Sequence, residues 1–363
     1  MKVMTIVGTR PEIIRLSLII ARLDACADRH ILVHTGQNFT DSLSGMFFRE
    51  MGIRQPDHIL NDRQRSLGEQ LAIIFEKLER LLMRERPDRV LVLGDTNSAL
   101  SAILAERMNI PVAHMEAGNR CFDNRVPEEL NRRVIDAVSS INMPYTPRSK
   151  SNLLREGIPV ERIVVTGNPI YEVLQAYEAQ IEQSDILERL SLRKDEYMLV
   201  TVHRAENVDD ASALAEIMRG LNAVAETFAM RMITSLHPRT RSRLEQLGHI
   251  RLHPLIELYD PFGFFDFVKL EKHAACVLTD SGTVQEECCI FRVPAVTLRW
   301  TTERPETVDC GSNIVSGIDA DRIRSAVNVQ MSSPRRWTCP EGYLEPAVSD
   351  TVVRCLFGHM TRR

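Results

Sequence analysis

Apolar residues along this chain fall into two alternating rhythms. Short runs, Val3–Val7, Ile31–Val33, Val90–Leu93 and Ile110–Ala113, are apolar at every position but Thr5, as strands buried on both faces of a parallel sheet are. Between them the spacing lengthens to that of a helix. Pro11 opens a helix over Glu12–Leu23 with Ile13, Leu16, Ile20 and Leu23 on one face, and residues 66–84 place Leu67, Leu71, Ile74, Leu78 and Leu81 the same way. A further helix starts at Ala99, and Ile163–Val165 closes the first half as a strand before the turn cluster Thr166–Pro169. The second half repeats the rhythm, with strands at Met198–Val202, Met232–Ser235, Cys276–Thr279 and Ala295–Leu298 and helices that include Asp210–Ala225 and Ser281–Phe291. Such alternation predicts an α/β chain of two Rossmann-like domains with parallel sheets facing across a cleft, the first spanning residues 1–168.

Composition narrows the class. A length of 363 residues exceeds what one core usually serves, which agrees with two domains. A formal net charge of −4 gives no general attraction to nucleic acid, so any phosphate binding falls to local arginines. Eight cysteines without a C-x-x-C or metal-ligand spacing read as reduced thiols of a cytoplasmic protein. The apolar run at Met1–Gly8 is too short for a signal peptide, and no stretch reaches the roughly 18 apolar residues of a membrane span.

Charge gathers at the strand ends. The segment from His114 to Arg120, with Arg125–Arg133, brings together Glu116, Glu128, Glu129, His114 and four arginines directly after an apolar run. Ala117-Gly118 lets the backbone bend after Glu116, and Pro127 opens a helix on which Glu128 and Glu129 point about 100° apart, so only one faces a cleft squarely. Arg132 lies one turn past Glu128, and Asp136 another. Two readings stand: an exposed ion-pair stripe, or a catalytic carboxylate held by an arginine.

In parallel α/β sheets ligands bind beyond the carboxyl ends of the strands. Here those positions carry Gly8–Pro11, Gly36–Asn38, Gly94-Asp95, His114–Glu116, His203-Arg204, His237–Arg239 and Asp280–Gly282, a set rich in acids, histidine and arginine. The start of the helix at Ser281, Gly282 and Thr283 is an anion site in waiting, although Ser281 also reads as an ordinary N-cap. Arg10 and Arg15 at the first helix start favour a diphosphate, and Glu287 is placed to take two ribose hydroxyls. There is no P-loop and no G-x-G-x-x-G after Val7, so nucleotide hydrolysis and hydride transfer lack support. Asp319-Ala320-Asp321 reads as a helix cap, and His114, His203, His237 and His253 lack zinc spacing, so neither metal nor cofactor is expected.

In order, Gly8-Thr9-Arg10-Pro11-Glu12, Gly94-Asp95-Thr96, His114-Met115-Glu116-Ala117-Gly118, Pro127–Arg132, His237-Pro238, Asp280-Ser281-Gly282 with Gln285-Glu286-Glu287, and Thr302–Glu306 form a series that resembles the non-hydrolysing UDP-N-acetylglucosamine 2-epimerases. The resemblance runs from Gly8 to about Gly317. It implies the GT-B fold, a second, UDP-binding domain over 169–343, and a C-terminal helix within 344–363 crossing back to the first. It places the catalytic set on Asp95, Glu116, Glu128 and His203. UDP and sugar then fall to Arg10, Arg15, Arg132, Arg204, His237, Ser281, Gly282, Thr283, Glu287 and Arg304. The implied reaction removes the C-2 proton with anti loss of UDP, giving a 2-acetamidoglycal, and re-adds UDP syn with protonation on the other face. A homodimer is implied as well.

Departures from the commonest pattern point within the family. Gly282-Thr283 replaces a Gly-Gly pair, Val202–Glu206 replaces Gly-His-Arg-Arg-Glu, and His34–Phe39 lacks the pattern of the allosteric substrate site, so control by substrate is not expected. Glu12–Ser17, Gly118–Asp123, Asn142-Met143 and Gly263–Asp266 resemble the branch that inverts C-2 of UDP-2-acetamido-2,6-dideoxy-L-talose to make UDP-N-acetyl-L-fucosamine for capsule or O-antigen. Phe122, Phe264 or Phe265 would wall in a 6-deoxy carbon. The alternatives are conversion of UDP-N-acetylglucosamine to UDP-N-acetylmannosamine, a hydrolysing 2-epimerase, a GT-B glycosyltransferase and a non-catalytic nucleotide-sugar sensor.

Overall fold

A computed structural model of the chain describes residues 1–36, 45–60, 66–248 and 250–358. It resolves into two compact units, Met1–Tyr177 with Glu341–Arg363, and Glu178–Pro340. Each is a six-stranded parallel sheet covered by helices. In the first, β1 (Lys2–Val7), β2 (Arg29–His34), β3 (His58–Ile59), β4 (Arg89–Leu93), β5 (Val112–Met115) and β6 (Ile141–Met143) lie in the order β3-β2-β1-β4-β5-β6. In the second, β7 (Tyr197–Val202), β8 (Arg231–Leu236), β9 (Ile256–Tyr259), β10 (Cys276–Thr279), β11 (Ala295–Thr297) and β12 (Asn313–Val315) lie in the order β12-β11-β10-β7-β8-β9. Counted within each half, the two orders are the same. The order reverses direction between β1 and β4 and again between β7 and β10, and such switch points open a crevice at the strands' carboxyl ends.

The apolar runs are strands because both of their faces are covered. Met4, Ile6, Ile31, Val33, Val90, Val92 and Val112 pack with Leu78, Leu82 and Ala102 into one core layer, and Met198, Val200, Val202, Leu278 and Val296 pack with Leu214, Ile217, Leu221 and Ile323 into its counterpart. Ser66 accepts from the Glu69 amide at the start of the helix Leu67–Glu85, and Asp319 accepts from the Arg322 amide at the start of Ala320–Ser332, the capping role read for it.

Two strand positions differ from the sequence reading. Expected over Ile110–Ala113, β5 is Val112–Met115 instead, so His114 lies inside the strand with no exposure to solvent. Ile163–Val165 is not a strand; Ile163 makes a single bridge to Asn142, and the strand beside β5 is β6. The reading of Gln37–Phe39 falls outside the described residues.

The first unit continues past Asn168 to Tyr177. The helix Pro169–Ala176 packs against Arg10–Cys26, and the Tyr177 hydroxyl donates to the Met51 carbonyl at 2.7 Å. The helix Val348–Gly358 packs on the same pair, with Arg22 against Asp350 at 2.7 Å and the Ser349 amide donating to Glu172 at 2.7 Å.

Candidate active site

In the first unit, the loops after β4 and β5 carry the expected Asp95 and Glu116, and the helix Pro127–Val138 carries Glu128. Pairing of Leu93 with Met115 brings Asp95 and Glu116 out at neighbouring strand ends. Arg132, buried on the helix Pro127–Val138, donates from Nε to Asp95 Oδ2 at 2.8 Å and from Nη1 to Glu129 Oε2 at 3.0 Å, and Asn131 Nδ2 donates to the Asp95 carbonyl at 2.9 Å. Helical spacing pointed to Glu128 beside Arg132, and the structure adds Asp95 and Glu129 as partners of that guanidinium. Glu128 sits half-buried on the adjoining face of the helix. Burial pushes Glu129 up, but the Cys121 amide at 2.9 Å and Arg132 outweigh it and hold the group below the usual carboxylate range.

Glu116 has φ +66°, a left-handed conformation that costs a glutamate on the order of 1 kcal/mol or more. Its amide donates to the Met143 carbonyl at 3.1 Å, and its carboxylate is paired with the buried Arg15 guanidinium, which lies over the Tyr145 ring at 5.6 Å. Arg15, expected among the phosphate binders, is therefore built into the support of a carboxylate. Two residues on, Gly118 has φ +78°, and a Cβ there would meet the Ser149 carbonyl oxygen at 2.2 Å, so only glycine lets the loop turn. Asp136 ties the loop from below, accepting from the Gly118 amide at 3.1 Å and pairing with Arg120 at 2.7 Å. His114 spans Asp136 and the Gly94 carbonyl, at 2.8 Å each, which pins the β4 and β5 ends to each other. Arg10 lies over the Phe47 ring at 5.4 Å. Glu12 reaches back to the Gly8 amide at 3.0 Å, the Thr9 amide at 2.7 Å and the Thr96 hydroxyl at 3.0 Å, and burial pushes its carboxyl up to about 7.

In the second unit, β7 and β10 end at His203 and Asp280. Buried Asp280 accepts from the amides of His203 and Arg204, each at 2.9 Å, from Asn207 Nδ2 at 3.1 Å, and from His203 Nδ1 at 3.0 Å. Burial raises Asp280, but His203 and the converging donors hold it at about 2. A permanent carboxylate on Nδ1 fixes the tautomer and puts the imidazole's lone pair on Nε2. The helix Gly282–Phe291 begins beside this pair, with Ser281 at its N-cap position but making no side-chain capping bond, and Thr283 half-buried in its first turn. A Cβ on Gly282 would meet Glu303 Oε1 at 2.6 Å. Glu303 takes Arg204 at 3.0 Å and Arg299 at 2.8 Å, while Arg304 pairs with Glu286. His237 caps the helix Pro238–Leu247, its Nδ1 accepting from the Arg239 amide at 3.2 Å. Glu287 is buried on the second turn of its helix.

Each unit thus carries its own share of the expected set, at strand ends and in the helix turns that follow them. The first gathers Arg10, Arg15, Asp95, Glu116, Glu128 and Arg132; the second gathers His203, Arg204, His237, Ser281, Gly282, Thr283, Glu287 and Arg304. Among the described residues no group of His, Cys, Asp or Glu is arranged to hold a metal ion, and no helix is long and apolar enough to cross a membrane. The model of the UDP-N-acetylglucosamine 2-epimerase family matches residues 22–356. The chain belongs to that family.

This epimerase is 41% identical over 350 residues to a UDP-N-acetylglucosamine 2-epimerase of Methanocaldococcus jannaschii, covering 94% of this chain and 95% of the relative. It is 38% identical over 327 residues to a UDP-2,3-diacetamido-2,3-dideoxy-D-glucuronate 2-epimerase of Pseudomonas aeruginosa, with coverage of 89% and 90%. The crystal structure of the Methanocaldococcus jannaschii enzyme in complex with UDP-GlcNAc and UDP superposes with a TM-score of 0.94 at 39% identity, over 98% of this chain and 99% of that one. The groups that support the epimerase's acids were not visible as such in the sequence. Asp280 under His203, Arg132 beside Asp95 and Arg15 under Glu116 are partnerships between residues 37 to 101 positions apart, and Arg132 with Glu129 is one step off the expected helical spacing. A charged residue at each adjoining strand end was the available signal.

Proposed function

We propose that this epimerase inverts C-2 of UDP-2-acetamido-2,6-dideoxy-L-talose to give UDP-N-acetyl-L-fucosamine, through anti elimination of UDP to a 2-acetamidoglycal and syn re-addition. One observation carries the reading: both switch points are furnished, one with carboxylates clamped by buried arginines and the other with a helix start beside a carboxylate-oriented histidine. The C-2 hydrogen has no carbonyl beside it, so its removal needs positive charge to build at C-1 as UDP leaves. Asp95, Glu116 and Glu128 stabilise that charge and exchange the proton, with acid and base on opposite ring faces. The helix start at Ser281–Thr283, with Arg10, Arg204, His237 and Arg304, takes the diphosphate, His203 serves the departing and returning oxygen, and Glu287 takes the ribose.

The 6-deoxy preference rests on the motifs of that branch and on one aromatic. Phe264 is buried in its own unit and Phe265 stacks edge-on against it, whereas Phe122 is 67% exposed and held at φ +56° between Cys121 and the helix Pro127–Val138. Phe122 is therefore the apolar wall offered to C-6. A second reading, UDP-N-acetylglucosamine as substrate, is favoured by the name of the 41% identical relative. Incubation in D2O followed by NMR tests the chemistry: deuterium at C-2 with UDP retained is expected, and free sugar or absence of exchange overturns it. The two substrates are then compared by kcat/KM. A higher value for the 6-deoxy-L-talose derivative is expected, and an equal or lower one transfers the assignment to UDP-N-acetylglucosamine.

A further inference from the structure

Behind Glu287 lies a second acid that the chemistry above does not use. Glu271, on the helix Phe264–His273, is fully buried, and its side chain is hydrogen-bonded to that of Glu287. Two ionised carboxylates repel and offer no proton to share, so a bond between them needs one to stay protonated. The surroundings say which. Glu271 Oε1 accepts from the Cys288 thiol at 3.2 Å, while Oε2 receives a hydrogen bond from no donor among the described residues. No cation among them pairs with Glu271 either; the lysines of its own helix, Lys269 and Lys272, are bound to Glu182 and Glu178. His273 is turned to the Lys269 carbonyl at 2.9 Å, and on the facing helix the titratable neighbours are Glu287 and Cys288. Burial and the adjacent Glu287 push Glu271 well above the usual carboxylate range, and burial with Glu271 beside it keeps Cys288 a thiol. A buried oxygen without a donor is costly as an acceptor and satisfied as an O–H.

We propose that Glu271 is a positioning residue of the nucleotide site: as a neutral carboxylic acid it donates to Glu287 and turns that carboxylate toward the two ribose hydroxyls. The relay runs from the Cys288 S–H to the Glu271 carbonyl oxygen, from the Glu271 O–H to Glu287, and from the ribose hydroxyls to the other lone pairs of Glu287. Each bond polarises the next in a site of low dielectric. The Glu271 O–H occupies one lone pair of Glu287, so the lone pairs that remain have a fixed direction. The inference rests on Glu287 being the ribose ligand.

Calorimetric binding of UDP and 2′-deoxy-UDP tests both layers. The wild-type enzyme is expected to prefer UDP by about tenfold or more, and E287Q to lose the preference. E271Q, whose amide still donates to Glu287, retains the preference; E271L, which cannot donate, loses it about tenfold while UDP still binds through its diphosphate. Preference lost in E287Q but kept in folded E271L overturns the role of Glu271 alone. No preference in wild type, or none lost in E287Q, overturns the ribose reading and the inference with it. If E271L does not fold, the infrared difference spectrum between wild type and E271Q at pH 7 decides: the C=O band of a protonated carboxylic acid present in wild type and absent in E271Q is expected, and its absence from both overturns the proposal.

Discussion

The two units share one strand order and furnish it with different groups. At the β1/β4 switch point the furniture is side chains, carboxylates each clasped by a guanidinium: Asp95 and Glu129 by Arg132, Glu116 by Arg15. At the β7/β10 switch point it is largely backbone, with amides aimed at Asp280 and a helix start at Gly282. Side-chain acids change protonation and follow charge as it develops, which suits the reacting carbon. Backbone donors cannot be titrated and suit a diphosphate that stays charged throughout. On the proposed function, the same topology separates a reactive half from a holding half, by what stands at the strand ends.

Breaking the reactive half gives the largest effect. Asp95→Asn and Glu116→Gln are each expected to lower C-2 exchange by about 10²–10⁴-fold, the usual range for a proton-transferring group, with UDP affinity nearly unchanged. Exchange read by NMR beside calorimetric UDP binding makes the split visible, and a matching loss of UDP affinity would erase the distinction between the halves. Next comes the clamp. Arg132→Met takes the shared guanidinium from Asp95 and from fully buried Glu129, leaving Glu129 only the half-exposed Arg133 at 3.3 Å, and is expected to cost about 3 kcal/mol of stability by chemical denaturation, the lower end for a broken buried pair.

The smallest effects are opposite slopes with pH. Glu12 sits at about 7 when folded against an ordinary 4.5, so the stability tied to its proton is complete below pH 4.5 and is lost as pH rises through 7. Glu12→Gln is expected to remove a decline of about 3 kcal/mol over that interval. Asp280 sits at about 2 against an ordinary 3.8, so its contribution is present above pH 4 and is lost as pH falls through 2. Asp280→Asn is expected to remove about 2 kcal/mol of acid sensitivity there. Melting curves across pH 2–8 that show the same sign for both variants would contradict the assignment.

The sheets were legible because their central strands are apolar at nearly every position, a pattern that solvent-facing segments do not sustain. What the sequence reading missed lies at or near the sheet edges. β3, β6 and β12 have two or three residues each, and β9 alternates Ile256 and Leu258 with Glu257 and Tyr259, of which Glu257 is salt-bridged to Arg231 on the neighbouring strand. Such strands exist because a neighbour pairs with them, and no local run announces that. The site was legible in the same measure. Residues directly after aliphatic runs were placed at the strand ends, since topology puts them there, but the partners of arginines were not. A guanidinium on a long stem reaches across elements, so Arg132 met Asp95 from 37 positions away and Arg15 met Glu116 from 101.

The helix Val348–Gly358, packed among the elements of the first unit, bears on how the molecule is made. As the chain leaves the ribosome, the whole stretch from Glu178 to Pro340 is available before the segment that completes the opening unit has been translated. The second unit is therefore a continuous insert that has all its residues first, and the first unit is closed last.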